Sequence, residues 1–160
     1  MSDRRIGLTG HQRLSVATQK AVADSLSREL RRSSPCTGLC SLAAGADQLF
    51  ADAVLETGNT LSVIVPSAGY ETTFEEATDL QHYRRLLAQA AAVAELDYAE
   101  PTEQTFFEAG KQIARQCDLL LAVWDGRPAA GVGGTADVVD FAREQGKPVV
   151  VIWPPGSSRE

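Results

Sequence analysis

The sequence lacks the features by which membrane, secreted and nucleic-acid-binding proteins are most easily recognised. No apolar stretch approaches the roughly 18 residues of a membrane-spanning helix, and the short segment before Gly10 and His11 does not resemble a signal peptide. Fifteen basic residues stand against twenty-one acidic ones, which gives a formal net charge of −6 and no dense basic stripe. We therefore expect neither a membrane nor a nucleic acid as a partner.

Cysteine is also scarce. The three cysteines, Cys36, Cys40 and Cys117, are odd in number, and the spacing of the first two is not that of a zinc knuckle. Without a secretion signal, this usage favours reduced thiols and a cytoplasmic location. The sequence predicts neither a metal site nor a bound cofactor.

The standard nucleotide-binding motifs are missing as well. No glycine is followed by Lys-Ser or Lys-Thr, since Gly110-Lys111 continues with Gln112. The glycines of the first predicted strand, Gly7 and Gly10, do not form the G-x-G-x-x-G pattern. These absences exclude a P-loop ATPase and a typical NAD-dependent dehydrogenase.

What the chain does contain is the alternation of an α/β protein. Its 160 residues, 44% hydrophobic and 22% charged, suit one globular domain, which we expect over 1–155 with a flexible tail at 156–160. Short β-rich runs alternate with helical ones, which predicts a Rossmann-like three-layer domain with a mostly parallel, about five-stranded sheet flanked by helices. The predicted strands are 5–9, 37–42, 61–65, 118–124 and 148–153, and the predicted helices are 16–33, 46–57, 75–92, 105–116 and 135–144. The apolar character of the last strands indicates helices on both faces of the sheet.

In such sheets, ligands bind beyond the carboxyl ends of the strands, where the direction of the crossovers switches. The loops that follow the predicted strands therefore hold the candidate site. The predicted ligand-binding residues are Thr9, Gly10, His11, Arg13, Gly45, Ala46, Asp47, Asp125, Gly126, Gly131, Gly133, Gly134 and Thr135.

Each group of these residues has a chemical use and a plainer alternative. The glycines ahead of Thr135 open a helix and predict a phosphate cradle, where the alternative is an ordinary loop. His11 and Arg13 would supply charge and hydrogen-bond donors, unless they are solvated surface residues. Asp47 and Asp125 are candidates for ribose or orienting contacts, although Asp47 also suits a helix start and Asp125 a turn.

Four of these segments, taken in order, resemble a known superfamily. TGHQR at 9–13, AAGADQL at 43–49, LAVWDG at 121–126 and GGTAD at 133–137 resemble the SLOG superfamily, which includes the DprA core and the Lonely Guy enzymes. The resemblance covers about residues 6–153 and implies a nucleotide-related ligand held by the glycine-rich loops. Lonely Guy enzymes, which release ribose phosphate from a nucleoside monophosphate, carry P-G-G-x-G-T-x-x-E with a catalytic Glu. Here Val138 stands at that Glu position, and Asp137 lies one residue earlier, about 100° around the helix.

The sequence thus favours a domain that binds or senses a nucleotide or nucleotide-derived molecule. A phosphoribohydrolase-like N-glycosidase is the alternative enzyme, with Asp137 or Asp47 in place of the missing Glu. A protein-interaction module with purely structural glycine loops is a third interpretation. Homodimerisation is also open, and the exposed apolar residues of helix 75–92 are the expected interface.

Overall fold

The computed structural model describes residues 4–128 and 134–159 and consists of six strands and five helices in these ranges. The strands are β1 (Arg4–Gly10), β2 (Cys36–Cys40), β3 (Thr60–Val65), β4 (Ala92–Glu95), β5 (Leu119–Val123) and β6 (Val149–Ile152). The helices are α1 (Val16–Ser33), α2 (Ala46–Glu56), α3 (Ala77–Gln89), α4 (Glu103–Gln116) and α5 (Thr135–Glu144), with a 3₁₀ turn at Tyr70–Thr73. This architecture confirms the predicted α/β, Rossmann-like fold class.

The strands form one parallel sheet in the order β4-β3-β2-β1-β5-β6. The chain builds outward from β1 to β4, returns through α4 to β5 on the other side of β1, and ends with β6. The direction of the crossovers therefore switches between β1 and β5, and the loops that follow these two strands flank a crevice.

Two apolar layers hold the helices against the sheet. One face packs on α1 and α2 through residues such as Val22, Leu26 and Phe50, and the other packs on α4 and α5 through Ile113 and Val138. All five residues of β5 are buried, which explains its continuous apolar sequence.

Val16, the apolar residue at the start of the predicted helix 16–33, is 80% exposed. It is the first residue of the helix and directly follows the N-cap Ser15, whose hydroxyl accepts from the N–H of Thr18. The buried stripe of α1 begins only at Thr18 and continues through Val22 and Leu26.

The structure corrects the end of the predicted helix 75–92. The alanine-rich sequence favours helix, but α3 ends at Gln89 and the chain forms the edge strand β4 from Ala92. The N–H of Ala91 donates to the carbonyl of Leu61, so pairing with β3 outweighs the local helical preference.

The two edges of the sheet are less covered than the sequence suggests. In β6, Val150 and Val151 are 37% and 43% exposed, because only one side of this strand pairs with the sheet and its helical cover is partial. The expected interface on α3 shows no exposed large apolar side chain, since Tyr83 and Leu86 are buried and Leu80 and Leu87 pack half-buried against the core. No helix in the described ranges is both long enough and apolar enough to cross a membrane.

Candidate functional site

A cleft of about 820 Å³ opens at the carboxyl ends of β1, β2, β3 and β5, which is within the size range of small-molecule sites. Eight of the predicted ligand-binding residues line it: Thr9, Gly10, His11, Arg13, Gly45, Asp47, Gly134 and Thr135. Ala46, Asp125 and Gly126 are not among its lining residues, and Gly131 and Gly133 lie outside the residues that the structure describes.

His11 joins the loops after β1 and β5. Its backbone N–H donates to the carbonyl of Val123 at 3.1 Å, and its Nε2 accepts from the N–H of Asp125 at 3.2 Å. Burial and the nearby Arg159 lower the pKa of His11, while the carboxylate of Asp125, 3.4 Å away, offsets part of this effect. The ring is therefore neutral near pH 7 and positions the two loops, rather than supplying the positive charge that the sequence suggested.

Asp125 is held by an arginine from the end of the chain. Arg159 donates from both Nε and Nη2 to the Asp125 carboxylate at 2.7 and 2.9 Å, and the N–H of Arg127 donates to Oδ1 at 3.0 Å. Although burial raises the pKa of Asp125, these hydrogen bonds lower it to about 2. The Asp125 carboxylate is thus already hydrogen-bonded to protein groups, and it lies in a smaller recess beside the main cleft.

The glycines of the first two loops serve close packing. A Cβ on Gly45, where φ is +83°, would lie 2.3 Å from the backbone oxygen of Gln12. A Cβ on Gly10 would lie 2.6 Å from that of Ala46. The N–H of Ala46 donates to the carbonyl of His11, so it is not free for a ligand.

Asp47 lies on the floor of the cleft and is only 8% exposed. Its Oδ2 accepts from the N–H groups of Ser41 and Ala43 at 3.1 and 3.2 Å, which fixes the turn between β2 and α2. Burial raises the pKa of this carboxyl to about 7, although the two hydrogen bonds oppose the shift. Near neutral pH, Asp47 can both accept and give up a proton.

Arg13 and Glu75 form an ion pair across the mouth of the cleft. Both side chains are mostly exposed, so the pair adds little stability and can open. Arg13 is therefore within reach of a ligand without being fixed in the site.

The start of α5 is the part of the site that is best suited to an anion. Gly134 is the N-cap residue, and no hydrogen bond among the described residues uses the N–H of Thr135 or Ala136. All three residues line the cleft, together with Arg127 and Arg159. Unpaired N–H groups and the helix dipole favour negative charge at this position.

The candidate catalytic residue Asp137 does not line the cleft, whereas the apolar Val138 does. In the described ranges, no group of three or more His, Cys, Asp and Glu side chains could hold a metal ion.

Several lining residues were not predicted from the sequence. Tyr70 comes from the 3₁₀ turn, Phe106 from α4, Gln48 from α2 and Arg159 from the C-terminal segment. The periodic pattern marked α4 as a helix but not as a wall of the cleft, and the end of the chain has no local pattern that links it to β5.

Comparison with known proteins finds solved structures with the same fold. No protein-family model matches the sequence, and the search of curated proteins found no significant match. Among solved structures, DprA from Streptococcus pneumoniae has a TM-score of 0.70 at 16% identity, over 96% of this chain and 52% of DprA. DprA from Helicobacter pylori, studied for its single-stranded DNA binding mode, has a TM-score of 0.69 at 15% identity over 99% and 69% of the two chains.

The molybdenum cofactor binding protein from Rippkaea orientalis has a TM-score of 0.62 at 15% identity, over 94% of this chain and 77% of that protein. This chain spans about half the length of the pneumococcal DprA described above. At these identities the likeness is one of fold, and the chain shares the Rossmann-like fold of these structures.

Proposed function

We propose that this protein binds a nucleotide or a nucleotide-derived molecule in the cleft at the carboxyl ends of the strands. The observation that carries the proposal is the combination, in one cleft of about 820 Å³, of the open N-terminus of α5 with Arg127 and Arg159. An anionic group would bind at that end, and the remaining length of the cleft would hold the rest of the molecule.

The phosphate would be held by the N–H groups at the start of α5, the hydroxyl of Thr135 and the guanidinium of Arg127. Gly134 lets the ligand approach the backbone closely, and the same role for Gly131 and Gly133 stays a prediction. Arg13 would add a further positive charge from the mouth of the cleft once its ion pair with Glu75 has opened.

A small ligand is favoured over a nucleic acid. A neighbour in fold, the Helicobacter DprA, binds single-stranded DNA, but the present chain carries a net charge of −6. Phosphate backbones bind through many released counterions and need a basic surface. An oligonucleotide nevertheless belongs in the binding test as a direct comparison.

The test is thermal unfolding against inorganic phosphate, nucleoside mono-, di- and triphosphates, ADP-ribose, NAD, cyclic dinucleotides and a short single-stranded DNA. A ligand at 100 times its Kd adds about 2.7 kcal/mol to stability, which shifts the midpoint by several degrees. Gly134→Val should fold, since the φ of Gly134 is −68°, and should lose the shift because the new side chain blocks the cradle. No shift with any nucleotide, or an undiminished shift in the variant, contradicts the proposal.

An N-glycosidase acting on nucleoside monophosphates is the second candidate, favoured by one observation. Asp47 lines the cleft with a pKa near 7, the range that suits a general base. Incubation with nucleoside monophosphates would then release free base, and Asp47→Asn would abolish the release. Binding without release assigns the protein to sensing rather than catalysis.

Two further predictions accompany the binding role. We propose a cytoplasmic location, based on the cysteine usage, and homodimerisation remains to be measured. The large apolar side chains exposed in the described ranges, among them Val93 on β4 and Val150 on β6, indicate the sheet edges as the surfaces to probe.

A further inference from the structure

The two ends of the cleft differ in chemistry. The cationic end consists of the start of α5 with Arg127, and beside them Arg159, which is paired with the carboxylate of Asp125. The acceptor end consists of Asp47, Gln48, Glu76 and Asp79, which line the same cleft beside α2 and α3. An anionic group is attracted to the first end and repelled by the second, so the orientation of a phosphorylated ligand is fixed.

The distance between the ends suits the length of a nucleotide. The cationic end follows β5, and the acceptor end lies beyond β2 and β3, with β1 between them. Adjacent strands are about 4.8 Å apart, so β5 is separated by about 10 Å from β2, which precedes Asp47 and Gln48, and by about 14 Å from β3. The group that reaches the acceptor end is therefore the one farthest from the phosphate, namely the base.

The acceptor end presents side-chain oxygens of two largely buried residues that no described hydrogen bond uses. Asp47 uses Oδ2 for both of its backbone hydrogen bonds, and no described hydrogen bond uses Oδ1. Gln48 is 3% exposed and donates from Nε2 to the carbonyls of Leu42 and Asp79, which leaves its Oε1 without a described donor. Both amide N–H groups of Gln48 donate to carbonyls of the protein, so this side chain has only an acceptor left for a ligand. Asp47 likewise has only acceptors while it is ionised.

An aromatic wall stands at the same end. Tyr70 and Phe74 line the cleft with ring centroids 5.5 Å apart, and Phe106 lies 5.9 Å from Tyr70. Aromatic side chains offer a planar base both apolar area and ring contacts.

We propose that the acceptor end binds the base of the nucleotide and selects bases that carry an exocyclic amino group. This inference rests on the proposed nucleotide binding. The amino group of adenine or cytosine donates to Asp47 and Gln48, whereas hypoxanthine or uracil sets a carbonyl oxygen against the same acceptors. A site built for a donor rejects an analogue that lacks it, because the buried acceptors are then left unpaired.

The test compares AMP with IMP and CMP with UMP by calorimetric titration near pH 8. In each pair a carbonyl replaces the amino group and the adjacent ring nitrogen gains a proton. Wild-type protein should bind the amino-bearing member of each pair at least about tenfold more tightly. Asp47→Asn turns an amide donor toward the cleft and should reduce or reverse the ratio. The matched control Glu56→Gln, on the exposed far end of the same helix, should leave the ratio unchanged.

The outcomes separate this inference from the proposed function. Equal binding of AMP and IMP by the wild-type protein would overturn the selection for an amino group and leave nucleotide binding intact. An unchanged ratio in Asp47→Asn would overturn the role of Asp47 in it. Binding of none of the four nucleotides would overturn this inference for mononucleotides, and the wider thermal-unfolding panel would then decide the proposed function separately.

Discussion

At the residue scale, Asp47 combines a structural duty with an electrostatic cost. Its carboxyl holds the turn after β2 through two backbone N–H groups, yet burial raises its pKa from the ordinary 3.8 to about 7. Between these two values the folded protein holds the proton and the unfolded chain does not. The free energy of unfolding therefore decreases as the pH rises from about 4 to about 7.

Asp47→Asn should remove this pH dependence. The amide oxygen can accept both N–H groups, so the variant should match wild type near pH 4 and exceed it at pH 8 by a few kcal/mol, since one pKa unit corresponds to about 1.4 kcal/mol. Urea unfolding at pH 4.5 and pH 8 measures the difference. Asp24→Asn, on the exposed face of α1, is the control, and parallel profiles for Asp47→Asn and wild type would contradict the account.

Gly45 and Gly58 provide a second comparison, because both have positive φ in different surroundings. An added Cβ at Gly45 meets the backbone of Gln12, whereas at Gly58 it meets nothing within 4 Å. Gly58→Ala should cost about 1 kcal/mol from backbone strain alone, and Gly45→Ala should cost at least about 2 kcal/mol more. Equal losses in urea unfolding would show that the two loops do not pack as closely as described.

At the scale of elements, the C-terminal segment 154–159 completes the site. The carbonyl of Ser158 accepts from the N–H of Ser15, its own N–H donates to the hydroxyl of Thr18, and Arg159 holds Asp125. These contacts tie the end of the chain to the loops after β1 and β5. The division into a domain at 1–155 and a flexible tail stays a prediction beside them.

Arg159→Ala should raise the pKa of His11. Burial and the guanidinium both lower that pKa, and removing the guanidinium leaves burial alone to oppose the attraction of Asp125. The chain has two histidines, so their ring signals in an NMR titration are readily assigned, and His82 serves as the internal reference. An unchanged His11 titration would mean that the segment does not dock in solution.

Strand position sets a further expectation for backbone amides. β5 pairs on both sides and is entirely buried, whereas β4 pairs only with β3 and all four of its residues are exposed. Hydrogen exchange should be slowest in β5 and many-fold faster in β4, because edge strands open locally. Equally slow exchange in β4 would indicate that a second chain covers this edge.

The elements also show what sequence patterns can reveal. Helix α5 follows a glycine-rich loop and ends before Gly146, and its predicted bounds, 135–144, match the structure. Strand β4 was missed because its alanines favour helix locally and only pairing with β3 makes them a strand. Arg159 was missed as a lining residue because its partner, Asp125, lies 34 residues away and no periodicity links the two.

At the scale of the whole molecule, the fold brings four loops from distant parts of the sequence to one crevice. The position of the site at the strand ends was predictable, since parallel strands bring their carboxyl ends to one edge of the sheet. The roles of the individual loop residues could not be predicted, because they depend on which N–H groups and carboxylates are already hydrogen-bonded within the fold. His11, Gly45 and Asp125 stabilise the crevice, whereas the start of α5, Arg127 and Asp47 face its open space.

The most direct test of the central claim is an NMR titration of the isotope-labelled protein with AMP, following backbone amides. The account predicts saturable shifts at the cleft, at Thr9 to Arg13, Ala43 to Gly45 and Gly134 to Ala136, with Gly58 and Gly146 at the opposite edge of the sheet unmoved. The absence of shifts at millimolar AMP would contradict the binding of AMP, and shifts that cluster away from these loops would contradict nucleotide binding in this cleft.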